Sequence, residues 1–214
     1  MLKNVALAFA LVVLVFVGYA ATRPDTYRVE RSAVVDAPPE VTFQLVNDLR
    51  GWERWSPWNE LDPDQERTYS GPTSGEGAVT EWSGNEQVGT GQMTIAESVE
   101  NERVVIDLEF KEPFASKSGS EFRFEPVDED KTRVTWTMTG DSGLMMKTMS
   151  IFMDFDGRVG QDFEKGLAAL NEAAQKEASE RSAAAERERA AAMEAEGPAA
   201  DEASEAAQSA TAPE

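Results

Sequence analysis

The chain has 214 residues, enough for one medium domain with additional segments, and carries 40 acidic against 20 basic side chains, a formal net charge of −20. It contains no Cys and no His, which excludes disulfides, thiolate nucleophiles, the serine–histidine and cysteine–histidine triads, and the commonest metal ligand. So negative a surface repels nucleic-acid phosphates and anionic headgroups, so nucleic acid is not expected as a partner.

The first segment, "VALAFALVVLVFVGYAA" over residues 5–21, is free of charge. At helical rise it spans roughly 26 Å, against a hydrocarbon core of roughly 30 Å. Residues 1–22 are therefore expected to be a transmembrane anchor or a signal peptide, with Gly18-Tyr19-Ala20 offering a small-x-small cleavage site. The flanking charges conflict. Arg23, Arg28 and Arg31 follow the segment and favour a cytoplasmic domain by the positive-inside rule. Lys3 ahead of an apolar run reads as an export signal. The expectation is a single-pass membrane protein with its domain outside the cytoplasm.

A domain is expected over residues 27–176. "TYRVERSAVVDA" is a β-branched strand that ends at Pro38-Pro39. In "PEVTFQLVNDL", Val41, Leu45 and Leu49 recur every four residues with Phe43 and Val46 beside them, a short helix opened by Pro39. "QERTYSG", "AVTEW" and "GQMTIAES" read as strands. In "RVVIDLEF", Val104, Ile106, Leu108 and Phe110 share one face. "EFRFEP" places Phe122 and Phe124 together, and "TRVTWTMTG" does the same for Val134, Trp136 and Met138. These are half-buried antiparallel strands, the last two joined by a polar "VDEDK" hairpin.

A long helix follows. Met149, Phe152, Phe155, Val159, Phe163, Leu167 and Leu170 fall at three- and four-residue steps, one apolar face sustained for about six turns. Gly157, Gly160 and Gly166 each weaken it by roughly 1 kcal/mol relative to Ala, which suggests close approach to the sheet or a bend. The fold class expected is α+β: a curved antiparallel sheet around one long C-terminal helix. Residues 177–214 are an acidic, Ala/Glu-rich tail. Its first half favours helix, Gly197-Pro198 is expected to stop it, and residues 199–214 read as disordered. The tail presents no apolar stripe to pack on a core.

The order of elements and "VERSAVVDAPPEVTFQLVNDLRGWERWSPWNELDP", "SGPTSGEGAVTEW", "GTGQMTIAESVENERV", "FEPVDEDKTRVTWTMTG" and "FMDFDGRVGQDFEKGLAAL" resemble the SRPBCC superfamily, the START-like polyketide cyclase/dehydrase proteins. The resemblance covers the 27–176 domain. It implies a helix-grip fold with a deep apolar cavity. Members bind lipids, sterols, polyketides or other hydrophobic molecules, and a minority catalyse cyclisation or hydrolysis.

"WERWSPWNE" holds Trp52, Trp55 and Trp58, three of the five tryptophans. Pro57 prevents a continuous helix there, so they occupy a short turn beside the implied cavity mouth. They are a hydrophobic plug or an aromatic rim for an apolar ligand, or they share the two roles, Trp55 packing while Trp52 or Trp58 lines the entrance. Trp82, Met93, Phe110, Trp136 and Met138 are candidate cavity residues from the strands, and Phe152, Phe155 and Val159 from the helix; ordinary core packing is the alternative. The carboxylate pairs Asp62/Asp64 and Asp128/Asp130 sit in turns, and Asp154/Asp156 lack a calcium-loop continuation, so neither metal nor cofactor is expected. The function expected is a membrane-tethered binding domain for a hydrophobic small molecule or lipid. The alternatives are a cyclase- or hydrolase-type enzyme using the same cavity, and an envelope protein-interaction module with a filled core.

Overall fold

A computed structural model describes residues 2–151 and 153–209. An apolar helix α1 (Leu2–Ala21) leads into strand β1 (Thr26–Val35), and Pro38-Pro39 turns the chain into α2 (Pro39–Asn47). Two 3₁₀ turns, Gly51–Arg54 and Pro57–Asn59, carry the clustered tryptophans. Strands β2 (Glu66–Ser70), β3 (Val79–Ser83), β4 (Thr90–Val99), β5 (Arg103–Glu112), β6 (Ser116–Asp128) and β7 (Lys131–Asp141) follow, then α3 (Leu144–Met149) and α4 (Phe155–Ser209). One compact unit ends at Ala174 and a second begins at Gln175.

All seven strands form one antiparallel sheet in the order β1-β7-β6-β5-β4-β3-β2. After β1, each strand pairs with its sequence neighbour, and β7 returns to cover β1. This is the helix-grip arrangement: the sheet curves around the first part of α4, helped by a bulge between Ile95 and Glu97. The register gives the sheet two distinct ends. Thr26 opposite Asp141, Phe110 opposite Ser116, Thr90 opposite Glu112 and Ser83 opposite Glu66 all lie at the end where α1 joins β1.

The opposite end is solidly filled. Phe122, Phe124, Val104 and Val134 from the strands meet Val41, Phe43 and Val46 of α2 and Leu167 and Leu170 of α4, all buried. Phe43 meets Phe124 edge-to-face at 5.6 Å between centroids. On α4, Gly166 is needed for close approach: a Cβ there would stand 2.8 Å from the Trp136 ring and 3.1 Å from Pro57.

Two expectations are corrected. The C-terminal helix does not run from Met149. Met149 ends the short α3 and is exposed, and α4 starts only at Phe155, where the Asp154 carboxylate accepts the Gly157 N–H at 2.9 Å. That capping bond interrupts an otherwise unbroken apolar spacing. Phe152 lies outside the described residues. Farther on, Gly197-Pro198 does not stop α4, which continues to Ser209; a proline inside a helix forfeits one backbone hydrogen bond without having to end it, and the sequence on either side is rich in Ala and Glu. Of the segment expected to be disordered, residues 199–209 are therefore helical and residues 210–214 lie outside the described residues. Within the second unit Arg181 pairs with Glu177 one turn back, at 2.9 Å.

Candidate functional site

The tryptophan segment is organised by the end of α2. A helix leaves its last four carbonyls without internal partners, and here each finds one. Gln44 O accepts the Asp48 N–H, and Asn47 O accepts the Gly75 N–H, both at 3.1 Å. Leu45 O accepts the Trp55 indole N–H at 3.0 Å, and Val46 O that of Trp52 at 2.9 Å. Gly51 lets the chain turn this tightly, since a Cβ would stand 2.8 Å from Leu45 O. Both indoles are buried and tilt against each other at 4.5 Å. The Trp55 ring continues into Phe122 and Trp136, and Trp136 stacks flat on Phe163 of α4 at 4.0 Å.

Beyond this aromatic wall, at the α1 end of the sheet, is a cavity of about 290 Å³. Trp52 and Trp58 line it from the 3₁₀ turns, Trp82, Met93, Phe110, Trp136 and Met138 from the strands, and Phe155 and Val159 from α4. Trp55 is not among the lining residues: its ring is spent on the core and its N–H on Leu45. This position matches the shared-role reading, in which Trp55 packs while its neighbours Trp52 and Trp58 face the cavity. The nine others expected on the cavity wall and described by the structure stand together there.

The sequence reading missed the polar lining. Ser116, Ser118 and Ser120 alternate along β6 on the face that continues into Phe122 and Phe124, so the inward side of one strand passes from hydroxyls to rings. Ser116 is exposed at the mouth, while Ser118 and Ser120 are buried. Ser118 shares a 2.7 Å hydrogen bond with the Tyr27 hydroxyl, and Ser120 accepts the Trp136 indole N–H at 2.9 Å. Burial raises the Tyr27 pKa above the ordinary phenol value, against the opposing effect of the Ser118 bond. The phenol therefore stays protonated and neutral. Thr80 also lines the cavity, and its buried hydroxyl oxygen has no hydrogen-bond partner. Gln65, Arg67 and Gln87 add polar groups near the rim, Arg67 bound to the Asn59 side chain. Asp162 stands on the α4 side, within 3.9 Å of Lys165. Among the described residues no group of three carboxylates converges to hold a metal ion.

Comparison with known proteins agrees with this architecture. The model of the family described as polyketide cyclase / dehydrase and lipid transport matches residues 26–175. No curated protein matches the chain. Among solved structures, a protein from Thermobifida fusca is 23% identical with a TM-score of 0.52, covering 70% of this chain and 93% of its own. The Zhui aromatase/cyclase of Streptomyces sp. R1128 is 13% identical with a TM-score of 0.51, over 71% of this chain and 94% of its own. The Mll3558 protein of Rhizobium loti is 19% identical with a TM-score of 0.50, over 69% and 96%. At these identities the likeness is one of fold.

Proposed function

The chain belongs to the polyketide cyclase / dehydrase and lipid transport family, and from that premise we propose that it is a membrane-tethered domain that binds a small hydrophobic molecule in the cavity at the α1 end of its sheet. The supporting observation is the cavity itself. About 290 Å³ of space opens among Trp52, Trp58, Trp82, Phe110, Trp136 and Phe155, leaving apolar walls against water that an apolar ligand would cover. The volume stands near the lower limit for ligand pockets, roughly 300 Å³, which favours a compact hydrophobe or one segment of a lipid chain over a whole diacyl lipid. The unpartnered Thr80 hydroxyl and the protonated Tyr27 phenol favour a ligand that carries an oxygen. A filled core, the mark of the interaction-module alternative, does not fit such a void.

The tether is α1. Residues Lys3–Ala21 form a helix long and apolar enough to cross a membrane, and little of it is buried. The Lys3-then-apolar order supports a domain on the outer side, which protease accessibility in intact cells and in permeabilised ones would separate from the reverse topology.

An enzyme of the cyclase or hydrolase type has one observation in its favour: Tyr27, a neutral phenol on the cavity wall bonded to Ser118, can donate a hydrogen bond to a bound carbonyl if Ser118 is the donor between them. Native mass spectrometry of gently purified full-length protein tests the binding reading, with a co-purifying hydrophobe as the expected result. An empty protein that also gives no change in tryptophan emission with a panel of apolar ligands would overturn it. A mass change of an added ligand on incubation, lost in Tyr27→Phe, would favour the enzyme.

A further inference from the structure

The two ends of the sheet differ in what they show to solvent. At the α1 end, Phe114 in the β5–β6 connection is 68% exposed, and Leu144, Met145, Met149 and Met153 in and after α3 are exposed as well, Met145 by 64%. Toward the other end, Val34 and Val127 stand singly, as apolar side chains on soluble surfaces usually do. Apolar residues gathered on two neighbouring connections need a covering partner, and methionines adapt to an irregular one.

The position of α1 identifies that partner. α3 packs against α1, and Lys147, buried within α3, is paired with Asp25 just after α1. Ala20 at the end of α1 is fully buried while most of that helix is exposed. From Ala21 to Thr26 the chain can extend at most about 18 Å, so a bilayer crossed by α1 lies within reach of this end of the sheet. The cavity occupies the same end. Its exposed lining residues are Ser116 and Gln87, and Met146, next to the exposed Met145 in α3, lines it from the patch.

We infer that α3 and the Phe114 connection seat in the surface of the lipid bilayer that α1 crosses, so that the cavity opens to the membrane beside Met146 and exchanges its ligand with the lipid phase. This rests on the reading of α1 as an anchor. The large negative charge sets the lipid preference: apolar insertion drives the contact, and zwitterionic headgroups accept it better than anionic ones.

Because the chain has no Cys, single cysteines place one dye at a time. Full-length Met145→Cys, Phe114→Cys, Val127→Cys and Leu11→Cys are labelled with an environment-sensitive fluorophore and reconstituted in phosphatidylcholine vesicles, with and without lipid carrying a nitroxide on its acyl chain. The expected result is strong quenching at 11, quenching with a blue shift at 145 and 114, and neither at 127. Quenching at 11 with positions 145 and 114 behaving like 127 overturns the seated portal and leaves the anchor standing. Absence of quenching at 11 overturns the anchor and the portal with it. Positions 145 and 114 lie on separate exposed connections, so misfolding of one variant leaves the other to decide.

Discussion

The Trp55 indole N–H donates to the carbonyl oxygen of Leu45 at 3.0 Å, ten residues back, at the end of α2. With the Trp52 bond to Val46 O it supplies two of the four partners that the C-terminus of that helix lacks, and it explains why a costly residue recurs there. Trp55→Phe keeps the apolar bulk but leaves a buried carbonyl unpaired, so a loss of about 1–3 kcal/mol is expected. Denaturant titration should show the fall, and the ligand response of the folded fraction should persist, because Trp55 is off the cavity wall. Trp58→Phe is expected to do the reverse, with stability little changed and the ligand response weakened. Equal behaviour of the two variants would mean that the segment acts only as packing.

The helix grip can be probed by removing the ring on which Trp136 stacks. Phe163 is buried, so Phe163→Ala should cost about 3–5 kcal/mol. Phe155 is only partly buried and meets Tyr27 edge-to-face at 4.9 Å. Phe155→Ala should therefore cost clearly less while enlarging the cavity, and a bulkier ligand series should then bind. A thermal melt of each variant with and without ligand separates the two roles.

Two glycines of α4 are expected to respond in opposite directions. A Cβ at Gly166 meets the Trp136 ring and Pro57, so Gly166→Ala should destabilise despite the roughly 1 kcal/mol of helix propensity that Ala brings. The atoms nearest a Cβ at Gly160 belong to the Arg31 guanidinium, the far end of a flexible side chain that can swing aside. Gly160→Ala should be neutral or stabilising, after loss of the pairs that half-buried Arg31 makes with the exposed Asp156 and Glu164 carboxylates. Chemical denaturation gives the sign of each change.

Much of this was legible. Alternation placed Val134, Trp136 and Met138 on one face of β7, and the four-residue spacing found Phe163 and Leu167. The break before α4 was not read, because Met149 and Phe152 extend the apolar spacing and only the cap at Asp154 interrupts it. Ser116, Ser118 and Ser120 were missed for a different reason. They share parity with Phe122 and Phe124, so the inward face could have been followed back through "SKSGSEFRF", but serines on a strand carry no hydrophobic signal of their own. That Trp55 packs while Trp52 and Trp58 face the cavity was one reading of the segment; the indole bonds to Leu45 and Val46 that impose it depend on where α2 ends in space, which residue spacing does not encode.

Alkaline titration tests the tyrosines. Tyr69, partly buried and donating its hydroxyl to Glu53 at 2.6 Å, has its pKa raised to about 12, chiefly by burial and then by the Glu53 carboxylate. Tyr27 is raised as well. A folded pKa above the unfolded value of 10.0 means that stability from these phenols is fully present below about pH 10 and is lost as pH rises through the folded values. Phenolate absorbance should therefore show Tyr69 ionising late. Tyr69→Phe should flatten the alkaline loss of stability, and an unchanged profile in that variant would remove Tyr69 as its source.

Thr80 sets stability against binding. Its hydroxyl is buried on the cavity wall with no partner, and an unpaired buried hydroxyl costs about 1–3 kcal/mol. Thr80→Val keeps the branched shape and removes the oxygen, so the ligand-free protein should gain stability, on the order of 1 kcal/mol. If the hydroxyl exists to meet a ligand oxygen, the same change should weaken binding of oxygenated hydrophobes while leaving pure hydrocarbons unaffected or slightly tighter. Melting the two proteins with a paired alcohol and alkane of equal size reads both effects at once. A stabilised variant that binds the alcohol as well as before would show that the oxygen has no part in recognition and that the cavity selects by shape and apolarity alone.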